Sequence, residues 1–133
     1  MIYPMFAMVL LTFIIGCITV TTRFASVKNG TVNAKYFKLM DDREIPEFVQ
    51  QTTRNFNNQF ETPVLFYVVC TLYVCLNIDS ALATALAWGF VLFRCIHSYI
   101  HLSYNHVIHR LSAFWLAVTC VMAMWVNLLI LQA

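Results

Sequence analysis

Arg54-Asn55-Phe56-Asn57-Asn58-Gln59-Phe60-Glu61-Thr62-Pro63 runs straight into Val64-Leu65-Phe66-Tyr67-Val68-Val69-Cys70-Thr71-Leu72-Tyr73-Val74-Cys75-Leu76. A cation, four amides and a carboxylate thus abut a run of apolar residues with no charge at all. The composition of the whole chain decides how to read that junction. It is 61% hydrophobic and 11% charged, against roughly 45–50% and about 25% in soluble domains. Three Gly and three Pro exclude collagen-like and loop-rich architectures, and 15% aromatic content excludes a solvated coil. A polytopic membrane protein remains. A span takes about 20 residues, so four spans leave about 50 for loops and none for a separate soluble domain. The expectation is an all-α, integral membrane four-helix bundle forming a single domain over residues 1–133, with membrane lipid as its solvent.

Working outward, the spans fall at about 5–21, 47–76, 81–104 and 112–131. No Lys or Arg precedes the first, so it reads as a span rather than a signal peptide. Ile14-Ile15-Gly16-Cys17 is then a chance match to a lipoprotein cleavage box. The first loop carries Arg23, Lys28, Lys35, Lys38, Arg43 and Arg54, six of the eight basic residues. In it, Asn29-Gly30 signals a turn and Asp41-Asp42-Arg43-Glu44 is a solvated charge run. Pro46 suits a first helical turn, and no Pro or Gly follows before Pro63. That predicts one helix from near Ile45 to Leu76. With Arg110 in the third loop and only Asp79 in the second, the positive-inside rule puts loops one and three in the cytosol and both termini outside it. A net charge of +2 is too small to argue for nucleic acid. The five cysteines lie inside apolar runs and read as small buried hydrophobes rather than a disulfide framework.

Two patches carry the candidate chemistry. On a helix, Arg54, Asn58 and Glu61 share one face, and Glu61 borders a span, where an unpaired carboxylate is costly. On the third span, Arg94, His97, His101, Tyr104 and Asn105 form a stripe at helical spacing, followed by His106, His109 and Arg110. No helix breaker lies between Ile96 and Leu111, which predicts that this helix continues past its apolar run. Three cations, one carboxylate, amides and imidazoles suit a small zwitterionic ligand with carboxylates. Residue by residue, plainer readings compete. Arg54 reads as a snorkelling side chain, Asn57 and Asn58 as interhelical hydrogen-bond formers, and His106 and His109 as solvated groups of no assigned role. His97-x-x-x-His101 also has metal-ligand spacing, but no Asp or Glu lies near it, so no metal site is assigned.

Arg54-x-x-x-Asn58-x-x-Glu61, followed by Arg94-x-x-His97-x-x-x-His101 and then Arg110, resembles the MAPEG superfamily, the membrane-associated proteins of eicosanoid and glutathione metabolism. The likeness spans the chain in architecture and about 60 residues in motif. It implies a homotrimer with glutathione as co-substrate, bound between subunits near the cytosolic face. It also implies glutathione-binding roles for Arg54, Asn58, Glu61, Arg94, His97 and His101, with Arg110 activating the thiol as the catalytic group. A guanidinium favours thiolate over thiol, which makes that role physically reasonable. The implied function is a glutathione transferase or peroxidase acting on lipophilic small molecules, in a divergent member of a bacterial inner membrane. The departures are His101 where active members often have Tyr, Asn57 for an Arg, Leu111 for a Ser and Phe114 for a Tyr. They keep an alternative open: a non-catalytic bundle that binds a small ligand or lipid and acts through protein contacts.

Overall fold

The computed structural model describes residues 1–39 and 45–133; the charge run Asp41–Glu44 lies outside them. All regular structure among the described residues is helical: α1 (Ile2–Lys28), α2 (Tyr36–Leu39), α3 (Glu47–Asn57), α4 (Thr62–Cys75), α5 (Ala81–Leu102) and α6 (Val107–Gln132). Three of these, α1, α5 and α6, are long and apolar enough to cross a membrane. They support an integral membrane protein.

The segment 47–76, expected as one helix, is three pieces. α3 passes into a single 3₁₀ turn (Asn58–Phe60), Glu61 leaves the helical region at φ −95°, ψ −99°, and α4 begins anew. Pro63 explains the break. In an unbroken helix its ring would meet the carbonyl of Gln59, and it has no N–H to give that carbonyl; near the start of α4 neither matters. At 14 residues α4 is about 21 Å long, short of an ~30 Å hydrocarbon core. The Asn58–Glu61 break lies level with Arg94 on α5, which donates to the Asn58 carbonyl.

The other ends also move. α1 begins at Ile2 and runs to Lys28, where Gly30 takes φ +70° in the expected Asn29-Gly30 turn. α5 stops at Leu102, two residues before the expected limit, and Asn105 reverses the chain at φ +47°. α6 starts at Val107 rather than near 112, so Arg110 is a helical residue and not a loop residue.

Packing follows from small residues at crossings. Gly89 faces Cys120 so closely that an added Cβ would stand 3.3 Å from its Sγ, and α5 lies flat along α6. Gly16 does the same for the Phe56 ring, 3.2 Å from where a Cβ would be, drawing α3 onto α1. Phe66 and Phe90 stack at 4.4 Å and 9° in the centre of the core, with Met8, Val69, Val121 and Met124 around them. Some polar side chains in the spans pair across helices. Thr19 donates to the Thr52 carbonyl at 3.0 Å. Tyr73 donates to Asn127 Oδ1 at 2.8 Å, an atom that also receives Ser80 Oγ at 3.1 Å. Of the cysteines, Cys70 is buried as expected, but Cys17, Cys75 and Cys95 face outward. On a membrane bundle the outer surface is as apolar as the core, so an apolar run does not imply burial.

Candidate functional site

The helix break splits its own residues between two grooves. Phe56, Gln59 and Phe60 turn one way, Asn57, Asn58 and Glu61 the other. The first set joins Phe13, Gly16, Val64 and Tyr67 in an apolar groove of about 780 Å³ between α1 and the α3–α4 segment. The second set meets Arg54, His101 and Arg110 in a polar groove of about 290 Å³. Five of the seven residues singled out in the sequence, Arg54, Asn58, Glu61, His101 and Arg110, thus line one groove. Arg54 and Glu61 are exposed in it on this chain. Asn57 joins them. The interhelical work expected of Asn57 and Asn58 falls instead to Asn55 and Gln59, which are buried and reach the carbonyl and hydroxyl of Ser98 at 3.4 and 3.2 Å.

The remaining two residues lie behind the groove wall. Arg94 is 0% exposed and donates from Nη2 to the Asn58 carbonyl at 2.7 Å. That carbonyl belongs to the 3₁₀ turn, where the regular helical ladder lapses. Nε and Nη1 of Arg94 are buried without a partner. His97 is buried with Nδ1 likewise unpartnered; its ring lies edge-on to His101 at 5.9 Å and near Phe114 at 6.1 Å. Among the described residues no group of three or more His, Cys, Asp or Glu converges.

Arg110 is held at the mouth. Its Nη1 donates to Asn105 Oδ1 at 2.8 Å and lies 3.4 Å from His101 Nε2. A guanidinium only donates, so His101 accepts at Nε2 and carries its proton on Nδ1. That Nδ1 is buried and unpartnered. His106 and His109 stay outside the groove, their rings tilted at 38° with centroids 4.4 Å apart, and Tyr104 Oη lies 3.1 Å from His109 Nδ1. The hydrogen bonds of Arg94 and Arg110 therefore go to Asn58 and Asn105, and not to Glu61.

Chemically, the groove offers two cations, a carboxylate, two amides and an imidazole. Buried donors without partners are rare in native proteins, and a water, an ion or a ligand group can satisfy them. A peptide-sized zwitterion with carboxylates fits that donor set; a neutral lipid head does not.

No curated protein matches the chain. The profile of the MAPEG family matches residues 1–130, which covers every residue of both grooves, and the chain belongs to the MAPEG family.

Proposed function

We propose that the protein binds glutathione in the polar groove and acts as a glutathione transferase or peroxidase on lipophilic electrophiles that reach it from the bilayer. The observation that carries this reading is a groove lined by Arg54, Asn58, Glu61 and Arg110, with Arg94 bonded to the Asn58 carbonyl behind it and two of its nitrogens unpartnered. Arg54 and Arg94 fit the ligand's carboxylates, Glu61 its amino group, and Asn57, Asn58 and His101 its amides. Arg110 favours the thiolate. The apolar groove on the far side of the same helix break supplies a lipid-facing surface for the second substrate.

Glu61→Gln tests the polar half. A charge-assisted hydrogen bond to an amino group contributes roughly 1.5–3 kcal/mol, so the substitution is expected to weaken glutathione binding by about ten-fold to a hundred-fold. Thermal shift in detergent with and without glutathione reads it. An unchanged ligand-free melting temperature accompanies this result; equal affinity in folded variant and wild type discards the site.

The site on one chain is incomplete. At about 290 Å³ it falls at the bottom of the ~300–1,000 Å³ range of small-molecule sites, and Arg54 and Glu61 stand exposed beside a membrane span. A second copy of the chain covers them in a homotrimer, the assembly that family membership favours. Crosslinking in native membrane is expected to give a ladder ending at three subunits. A clean monomer would end the shared-site reading. The same reading keeps the groove on the cytosolic side, both termini across the membrane, and the membrane itself a bacterial inner one.

A specific observation favours the non-catalytic alternative. Phe114 presents a bare ring near His97 and Leu111 follows Arg110, so no hydroxyl stands by to assist the thiol. Glutathione bound without thiolate absorbance is the outcome that selects it.

A further inference from the structure

Asn105 occupies the turn between α5 and α6 with φ +47°, a left-handed conformation that glycine takes freely and Asn tolerates. Its backbone N–H donates to the Ile100 carbonyl at 2.8 Å, closing the last turn of α5. A glycine would do all of this equally well. What only the side chain supplies is the bond across the turn, Arg110 Nη1 to Asn105 Oδ1 at 2.8 Å. The same nitrogen lies 3.4 Å from His101 Nε2. Both hydrogens of Nη1 are then engaged inside the protein, and the other N–H groups of Arg110 are left for the groove it lines. Asn105 itself does not line that groove.

We infer that Asn105 is the positioning residue of Arg110: it fixes the guanidinium at the mouth of the groove without touching what binds there. An arginine loses much rotamer freedom when held in one place. Here the turn that starts α6 also carries the acceptor that holds it, five residues before the arginine. This inference rests on the reading of Arg110 as the group that favours thiolate, and two separate measurements keep the two ideas apart.

The test uses Asn105→Gly in the full chain, which keeps the left-handed turn and removes the acceptor. The first measurement needs no ligand. Phenylglyoxal modification of Arg110, mapped by mass spectrometry, is expected to run several-fold faster in the variant, with added free N-acetylarginine as an unchanged internal reference. The second adds glutathione. Its thiolate absorbance is expected to fall about ten-fold, the scale of one lost hydrogen bond to a charged group, while its affinity stays within about three-fold of wild type. Asn105→Asp keeps an acceptor and adds a charge; it is expected to slow modification of Arg110 below the wild-type rate. It should still form little thiolate, because the new carboxylate offsets the cation. An Arg110 modification rate unchanged in Asn105→Gly overturns the positioning role, whatever the melting temperature does. Should Asn105→Gly not fold, an unchanged rate in Asn105→Asp overturns it equally. Wild-type protein that forms no thiolate sinks the glutathione reading alone and leaves the modification result standing.

Discussion

Replacing Arg94 with methionine is expected to reduce glutathione affinity by at least ~100-fold while leaving the ligand-free protein about as stable as before. The two halves of that result have separate causes. In the free protein Arg94 is wholly buried, makes one bond to the Asn58 carbonyl, and leaves Nε and Nη1 without partners. A central arginine costs a spanning helix ~2.5–3.5 kcal/mol on insertion scales, and the one bond to a charged donor returns ~1.5–3 kcal/mol. These offset one another, so a methionine of similar length changes the melting temperature by no more than a few degrees. With ligand present the balance differs. Two free donors each worth ~1.5–3 kcal/mol toward a carboxylate are lost together, which corresponds to a hundred-fold or more. Arg94→Lys is not expected to rescue binding, because a point charge cannot serve the carbonyl and a carboxylate with one planar fork. Thermal shift and calorimetry on the same preparations read both quantities. A large fall in ligand-free melting temperature with unchanged affinity would assign Arg94 to structure.

That result also shows why part of the molecule was legible in sequence and part was not. The apolar helices follow from hydropathy, since within a single segment only a helix satisfies its own backbone in lipid. Arg54, Asn58 and Glu61 were placed together on the argument that they share one face of a continuous helix. They do line one groove, but the helix breaks between them, and the break gives Glu61 its outward course. The signal was present in Pro63, whose ring forbids the Gln59 carbonyl. It was read as the start of an apolar run instead. The end of α5 at Leu102 had no Gly or Pro to announce it; an Asn in the left-handed region is a weak mark in a stretch of polar residues. Asn55 and Gln59 share i, i+4 spacing on a face about 100° round from Arg54 and Asn58, so spacing pairs them without saying which pair is buried. Which amides face a neighbour and which face a ligand depends on rotation about the helix axis, and the break alters that rotation. The depth of Arg94 behind the wall, and the hold of Asn105 on Arg110, are tertiary facts that spacing does not encode.

Arg110→Ala is expected to act on chemistry more than on binding, lowering turnover by about a hundred-fold, the scale of losing one donor aimed at developing negative charge. Glutathione affinity should change by less than about ten-fold, since Arg54, Glu61 and Arg94 still hold its polar ends. The pH profile separates this from general damage. With Arg110 present, the cation favours thiolate and the reaction proceeds with the thiol ionised near neutrality. Without it, the thiol returns toward its ordinary value of about 8.5, so the variant should regain activity as pH rises through that range while wild type gains little. Raising pH restores the reactive form because deprotonation yields the anion that the guanidinium would otherwise have favoured. The competing role is a clip, because Arg110 bonds to Asn105 and approaches His101 and so ties the start of α6 to the end of α5. A clip predicts a lower melting temperature, an unchanged pH profile in the surviving protein, and thiolate absorbance equal to wild type at every pH. The rise of variant activity with pH, measured against a lipophilic electrophile in proteoliposomes, decides between the two.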